Sequence, residues 1–206
     1  ERKFPENKPT INLLKSRLLY DSGQAEEAAL LLNKIQKVSP NDSDFLLLAK
    51  NVQVKLKNWE ELEGLIPRLK KNKVITSSEE EEIQVQILIG KLDKIWNERE
   101  GKSGETLQVH LKDLWGRAPA RFRSNEKAVI NYVSILIKSK ARDAALEVLE
   151  SALKKKWSNA LINEYGKQDF NNEAHQLIIS EKWEKKRPDD ANLLLCLGRI
   201  SMKNKS

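Results

Sequence analysis

Very few side chains in this sequence carry the imidazole or sulfur groups that ligate transition metals or act as strong nucleophiles. Imidazole, thiolate and thioether groups all ligate iron, and the chain offers them only at His110, His175, Cys196 and Met202. The two histidines lie far apart, in different predicted helix pairs. Cys196 stands within an apolar run, which favours a buried thiol that packs as a small hydrophobe. For both histidines a structural or incidental role is the favoured interpretation.

Other patterns of catalytic residues are absent from the sequence. A single cysteine excludes an internal disulfide and a cysteine-rich zinc site. There is no His-Glu-x-x-His helix, no Gly-x-Ser-x-Gly elbow and no glycine-rich phosphate loop. The acidic pairs Glu26-Glu27 and Glu60-Glu61 occupy the same place in a repeat, which indicates exposed positions at helix starts. The sequence therefore predicts no catalytic residue, no metal site and no enzyme activity.

The elements of the chain follow from an internal repeat. Residues 23–31 align with residues 57–65 at an offset of 34, the period of the tetratricopeptide repeat (TPR). Gly23 falls where the first helix of a pair must end and the chain must turn. Ala28 is small where two helices approach closely, and Pro40 follows the second helix because proline cannot extend it. One helix pair cannot bury its own apolar face, so stacked pairs are expected to share a core.

Further copies of this pattern occur in the second half of the chain. A third copy covers residues 140–153, with Ala145 in the role of Ala28. A fourth, shorter copy covers residues 173–190, and residues 191–205 resemble the first helix of another pair. Since its partner helix would follow the last residue, and since the chain begins with Glu1 rather than methionine, we expect a fragment of a longer protein.

The segment 76–120 departs from the repeat register. Ser78 and Glu81 have the spacing of a capping box, which predicts the start of a helix that continues to Trp96. Gly101 and Gly104 indicate a turn before a second helix that ends near Trp115. The predicted fold is all-α, a TPR-like superhelix of antiparallel helix pairs forming one domain over residues 1–206. It has two repeats in 1–75, a diverged helical pair in 76–120 and further repeats in 121–206, the last one truncated.

The formal net charge of +7 raises the question of an anionic partner. The basic runs at residues 70–73, 154–156 and 185–187 lie at the predicted ends of second helices, where they complement the helix dipole. No aromatic side chains alternate with them, as a nucleic-acid platform would require, so no nucleic-acid partner is predicted. The basic segment 117–123 is not explained in this way. It could contact lipid or an acidic partner, although a solvated loop is the favoured interpretation.

Three blocks of the sequence resemble HemY, a family of proteobacterial inner-membrane proteins with TPR-like domains linked to haem biosynthesis. The early block comprises residues 31–35, 39–42, 47–49, 59–62 and 65–67. The middle block comprises Trp115, Pro119, Arg121, and residues 131–132 and 136–137. The distal block comprises residues 153–157, 181–183, 187–190, 193–195 and 197–199. The likeness covers nearly the whole chain, and none of these residues forms a catalytic signature.

The resemblance implies a membrane-tethered helical platform. The family carries two N-terminal transmembrane helices, and its repeat domain is usually placed on the cytoplasmic side of the bacterial inner membrane. The present chain lacks those helices, because it contains no run of about 18 apolar residues. The flavin-containing protoporphyrinogen oxidase that shares the HemY name is a different protein. It would need a Gly-x-Gly-x-x-Gly loop, which this sequence lacks.

These observations predict a non-catalytic protein–protein interaction scaffold associated with late haem biosynthesis, with enzymes such as ferrochelatase as implied partners. The repeat register projects Asn12, Lys15, Gln53 and Tyr132 onto a concave partner-binding surface. The resemblance also raises a haem or porphyrin carrier as an alternative, with His110 and His175 as candidate ligands. A second alternative is an envelope-assembly TPR adaptor. The scaffold itself requires no cofactor.

Overall fold

The computed structural model describes residues 8–100 and 104–203, and these residues form twelve α-helices and no strand. In chain order the helices are α1 (Lys8–Asp21), α2 (Ala25–Gln36), α3 (Ser43–Leu56), α4 (Trp59–Lys71), α5 (Ser77–Asn97), α6 (Gly104–Arg117), α7 (Ala120–Arg123), α8 (Glu126–Lys138), α9 (Arg142–Lys155), α10 (Asn159–Lys167), α11 (Glu173–Glu184) and α12 (Ala191–Lys203). The predictions that concern residues 1–4, Gly101 and Lys205 lie outside the described ranges.

The chain divides into two compact units, Glu1–Gly90 and Lys91–Ser206, and the boundary between them lies within α5. Successive helices pack on each other in both units: α1 on α2, α2 on α3 and α3 on α4 in the first, and α8 on α9 in the second. Short connections make such neighbours antiparallel. The predicted all-α fold of TPR-like helix pairs is therefore confirmed. The predicted division at residues 75 and 120 stays a prediction.

Small and apolar residues at the repeat positions form the core of the first unit. Ala28 is fully buried, as its small size predicted, and Leu62 is fully buried at the equivalent position of the next pair. Phe45, Leu46 and Leu69 pack in the same cluster. Since each helix has one such face, the pairs are stable only when stacked.

The turns within the helix pairs share one backbone geometry although their residues differ. Gly23 has a φ of 87°, and Lys57 and Lys140 occupy the same place with φ of 56° and 64°. After each of them, the next amide N–H donates to a carbonyl five residues earlier, with N···O distances of 2.9, 3.0 and 2.8 Å. This hydrogen bond defines the Schellman motif. The lysines therefore adopt a left-handed conformation that suits glycine.

Replacement of Lys140 by glycine is expected to raise the free energy of unfolding by about 0.5–1 kcal/mol. The left-handed conformation costs a lysine about 1–2 kcal/mol, and the greater freedom of glycine in the unfolded chain offsets part of the gain. Urea denaturation measures the change. Lys112→Gly, on an exposed turn of α6, serves as the control and should lose about 1 kcal/mol. Equal losses in both variants would contradict the proposed strain.

The start of α5 lies slightly before the predicted position. The capping box consists of Thr76 and Glu79, not Ser78 and Glu81: the Thr76 amide donates to Glu79 Oε2 at 2.7 Å, and the Glu79 amide donates to Thr76 Oγ1 at 3.2 Å. The Thr76 amide and the Thr76 hydroxyl, which also donates to Glu79 Oε2 at 2.9 Å, lower the pKa of Glu79. The prediction was wrong by two residues because both threonine and serine can cap, and several glutamates follow.

The last helices of the second unit pack on α12 from two directions. Gly166 of α10 lies directly against Cys196, and α11 also contacts α12. At the other end of α12, Lys203 Nζ donates to the carbonyl oxygens of Gly166, Lys167 and Gln168 at 3.3, 2.9 and 2.9 Å. These carbonyls are left without helical partners where α10 ends. Lys203 therefore caps α10.

The fourth predicted repeat has an unexpected buried face. Gln176 and Ser180 are the buried residues of α11, whereas the apolar Ile178 is half exposed. Gln176 Nε2 donates to the Tyr165 carbonyl oxygen at 2.9 Å. An amide that bonds the neighbouring backbone is therefore buried in this helix in place of an aliphatic side chain.

The basic segments mostly lie where the sequence places them. Lys71 and Lys155 are the last residues of α4 and α9, and Lys185 is the C-cap of α11, so their helix-end positions are confirmed. The segment 117–123 is not a plain solvated loop: it contains α7, in which Phe122 is buried. The buried ring fixes α7 to the unit and thereby positions the neighbouring arginines.

Candidate interaction clefts

The residues predicted to form a partner-binding surface lie in both units. Lys15 is exposed on α1, and Asn12 is partly exposed one turn earlier. Gln53 on α3 is also partly exposed, and its Oε1 accepts a hydrogen bond from Asn58 Nδ2 at 3.0 Å. All three side chains can therefore be reached from solvent within the first unit. Their role in binding stays a prediction.

Tyr132 does not belong to an accessible surface. Its side chain is 3% exposed, and its ring stacks on Trp115 with a centroid distance of 4.3 Å and an interplanar angle of 20°. Burial raises the pKa of Tyr132 to about 12. The predicted exposure of Tyr132 on a concave surface was therefore wrong, because the indole of Trp115 on α6 packs on its phenol ring.

The second unit contains a cleft between α6, α7 and α9 with a volume of about 290 Å³. We call it the α6–α9 cleft. It is lined by Trp115, Arg123, Glu147, Val148, Ser151, Ala152 and Lys155. Five of these residues come from α9 at spacings of one, three and four, which place them on one face of a helix. The cleft is therefore one side of α9 that faces the indole of Trp115 and the guanidinium of Arg123.

The polar groups of the α6–α9 cleft differ in how they are held. Arg123 Nε donates to the Ala118 carbonyl oxygen at 2.9 Å, which fixes its side chain beside α7. Lys155, Ser151 and Glu147 are exposed, and within the described ranges none of their three side chains has a hydrogen bond or ion pair. The fold does not use these three side chains, so they can bind a ligand without breaking an internal bond.

The first unit contains a smaller cleft of about 200 Å³ between α2, α3 and α4. We call it the α2–α4 cleft. It is lined by Leu32, Asn33, Gln36, Phe45, Ala49, Gln53, Glu61, Gly64, Leu65 and Arg68. Arg68 Nη1 is close enough to donate to the Pro40 carbonyl oxygen, at 3.4 Å. Its charged lining residues are one glutamate and one arginine, whereas the α6–α9 cleft has two cationic side chains and one glutamate, so the α2–α4 cleft has less net positive charge.

Neither cleft was predicted from the sequence, although part of the signal was present. Glu147, Ser151 and Lys155 follow at four-residue spacing, which marks a polar stripe on α9. Arg123, which lines the same cleft, lies on α7. Hydrophobic periodicity cannot predict this helix, because its four residues do not complete two turns.

The two histidines lie on different helices and have different surroundings. His110 is exposed on α6. His175 on α11 is partly exposed, and its Nε2 lies 3.0 Å from Glu150 Oε1, which also accepts a hydrogen bond from the Tyr165 hydroxyl at 2.8 Å. Burial and the Glu150 carboxylate raise the pKa of Tyr165. Neither histidine lines either cleft.

The two sulfur side chains have opposite surroundings. Cys196 is completely buried, as its apolar neighbours predicted, and burial raises the pKa of its thiol to about 11. A protonated, buried thiol is a poor nucleophile. Met202 is 75% exposed on α12.

An aromatic cluster surrounds the start of α12. The rings of Trp157 and Trp183 meet edge to face at 5.5 Å, and the Arg187 guanidinium lies 4.1 Å from the centre of the Trp157 ring. Trp157 Nε1 donates to Asp190 Oδ2 at 2.8 Å. The other carboxylate oxygen of Asp190 accepts from the amides of Asn192 and Leu193 at 3.0 and 3.1 Å. Asp190 is therefore the N-cap of α12 and fixes the indole as well.

Replacement of Asp190 by alanine is expected to lower the free energy of unfolding by about 1–2 kcal/mol near neutral pH, because the helix loses its cap. Burial acts to raise the pKa of Asp190, but the hydrogen bonds and Arg187 outweigh it, so the folded-state pKa is lowered. The contribution is thus complete above the unfolded pKa of about 4 and is lost as pH falls through the lower folded value. Denaturant titrations at several pH values measure this.

The control for that experiment is Asp189→Ala. Asp189 is exposed, next to the cap, and its removal should change the free energy of unfolding by less than about 0.5 kcal/mol. A stability loss in Asp190→Ala that does not diminish in acid would contradict the role of the carboxylate.

Within residues 8–100 and 104–203, no group of three or more histidine, cysteine, aspartate or glutamate side chains is arranged to hold a metal ion. Among the helices of those same ranges, none has the length and apolar character needed to cross a membrane.

Comparison with known proteins gives a match to a solved structure. No protein-family model matches the chain, and no curated protein matches it significantly. Among solved structures, the chain is similar to the crystal structure of TTC0263, a thermophilic TPR protein in Thermus thermophilus. The identity is 16%, the match covers 94% of this chain and 99% of that chain, and the TM-score is 0.35.

Proposed function

We propose that this chain is a non-catalytic scaffold that binds other proteins through the accessible surfaces of its helix pairs. The observation that carries the proposal is the α6–α9 cleft, in which three exposed polar side chains have no internal partner in the described part of the chain. Polar groups that project from a rigid helical framework into an open cleft are suited to peptide or protein recognition.

The finer proposal is that the partners belong to late haem biosynthesis. The sequence blocks that resemble HemY support it, and they imply a repeat domain held beside the cytoplasmic face of a bacterial inner membrane by helices outside this chain. Ferrochelatase is the implied partner. The chain would bring such enzymes together at the membrane rather than carry out a reaction.

A pulldown from solubilised membranes of the source organism, read by mass spectrometry, tests this proposal. The bait is the intact chain, and two variants serve as comparisons: one carries Asn12→Ala, Lys15→Ala and Gln53→Ala, and the other carries Ser151→Ala and Lys155→Ala. Enrichment of ferrochelatase or its pathway neighbours that either variant loses would support the scaffold. Recovery of only unrelated envelope proteins would remove the haem assignment and favour an envelope-assembly adaptor.

The carrier alternative has its own test. Titration with haemin should give no saturable Soret shift if the chain is a scaffold alone. A saturable shift that is lost in His110→Ala or His175→Ala would identify a haem-binding protein instead. To ligate haem iron through Nε2, the His175 imidazole would first have to leave Glu150.

A further inference from the structure

We propose that the α6–α9 cleft binds an extended acidic peptide segment of a protein partner, with a carboxylate beside Arg123 and Lys155. This inference rests on the proposed function, because it names the chemistry of the partner that the scaffold binds. Arg123 and Lys155 both line the cleft. Arg123 presents a planar guanidinium that can pair with a carboxylate through two parallel hydrogen bonds.

The neighbouring arginines are already engaged. Arg117 Nε pairs with Asp113 Oδ1 at 2.9 Å, and the Arg121 guanidinium lies 4.6 Å from the centre of the Phe122 ring. Both side chains therefore have contacts outside the cleft. Arg123 uses its Nε for the Ala118 carbonyl, so its two terminal nitrogens remain as donors for a ligand. The positive groups of the cleft are thus Arg123 and Lys155.

The negative group of the cleft lies away from Lys155. Glu147 is eight residues before Lys155 on α9, which is about 12 Å along the helix axis. One end of this face of α9 is therefore acidic and the other is basic. An extended peptide rises about 3.3 Å per residue, so about four residues span the distance. Glu147 can accept from a backbone N–H or a basic side chain, while Lys155 pairs with the acidic end.

The surface between these charges is partly apolar. Val148 and Ala152 lie between them on the same face of α9, and the Trp115 indole lines the cleft. Successive side chains of an extended peptide point in opposite directions. A peptide with an aliphatic side chain near its carboxylate can therefore bury that side chain against Val148 and Ala152. We expect the preferred segment to combine acidic and aliphatic residues.

Fluorescence anisotropy with two labelled peptides tests the inference. The first peptide contains aspartate, glutamate and leucine, and the second has the same length and leucines but asparagine and glutamine in place of the acids. The intact chain should bind the acidic peptide at least about tenfold more tightly than the neutral one, and added salt should weaken binding. Chemical shifts of the Trp115 indole N–H, assigned with Trp115→Phe, should change on binding.

Three variants locate the site. Lys155→Glu and Ser151→Glu should each weaken binding about tenfold, since each places a negative charge in the cleft. Lys138→Glu changes the net charge as Lys155→Glu does, at an exposed position of α8 in the same unit, and should leave binding within about twofold. Circular dichroism of each variant verifies that the helices are retained.

Several outcomes would overturn the inference. Equal binding of both peptides would exclude a site for acids, and equal losses in Lys155→Glu and Lys138→Glu would indicate a non-specific effect of net charge. Vesicles with anionic phospholipid that compete for the same residues more strongly than the peptide would identify a lipid surface as the ligand. Absence of peptide binding would overturn this inference alone, because partner capture in the pulldown tests the scaffold separately.

Discussion

Replacement of Gly166 by alanine is expected to lower the free energy of unfolding by about 3 kcal/mol. A Cβ at this position would lie 2.9 Å from Cys196 Cα and 3.0 Å from Cys196 Sγ. The first of these atoms belongs to the backbone of α12, so the contact can be relieved only if two packed helices separate. Protein interiors are packed as densely as organic crystals. A separation of these helices would therefore also loosen the packing of the buried Tyr165 and Leu193.

The matched control is Gly198→Ala in α12. No atom lies within 4 Å of a Cβ built there, and alanine favours a helix over glycine by about 1 kcal/mol. Chemical denaturation should therefore show a loss in one variant and a small gain in the other. Adding Cys196→Gly to Gly166→Ala should not restore stability, because the contact between the new Cβ and the Cα of residue 196 remains. A gain in stability for Gly166→Ala would show that α10 and α12 are not in close contact.

In the first unit, replacement of Gly90 by alanine is expected to cost about 3 kcal/mol. A Cβ at this position would overlap the indole of Trp59, with Cε2, Cζ2 and Nε1 as the nearest atoms. Trp59 begins α4 and is 7% exposed. Because the indole is enclosed by its neighbours, it cannot rotate away without opening the core.

The contact with Trp59 is a side-chain contact, so a second substitution should relieve it. Trp59→Leu alone loses buried area and should cost about 2–3 kcal/mol. Combined with Gly90→Ala, it should cost at least about 1 kcal/mol less than the sum of the two single changes. Strict additivity in urea denaturation would contradict the overlap. Gly64→Ala, where a Cβ meets nothing within 4 Å, should have the opposite sign.

The fold was largely predictable because its signals are local. The 34-residue offset, Gly23 and Ala28 identify helix pairs directly, since turns and close helix contacts restrict residue type. The same reasoning placed the lysines at helix ends. It was inaccurate where several residues could serve equally, as at Thr76 and Glu79. It also did not identify positions where hydrogen bonds replace apolar packing, as at Gln176.

The clefts were harder to predict than the helices. The prediction of surface residues from the repeat register assumes a constant rotation between successive helix pairs. Tyr132 shows that a large neighbour such as Trp115 can cover a position that the register predicts to be exposed. The α6–α9 cleft depends on α7, whose place is set by the burial of Phe122 rather than by its own helical pattern. Tertiary contacts of this kind are not encoded in sequence spacing.

The left-handed turns show which property of the repeat is common to its copies. A positive φ occurs two residues before α2, α4, α9 and α11, at Gly23, Lys57, Lys140 and Asn171. Only one of these four is a glycine. The positive φ at this turn is therefore shared by all four helix pairs, whereas the residue type is not. An alignment scored by residue type does not detect this agreement, because it compares glycine, lysine and asparagine as different residues. An alignment that compares the sign of φ at these turns does detect it.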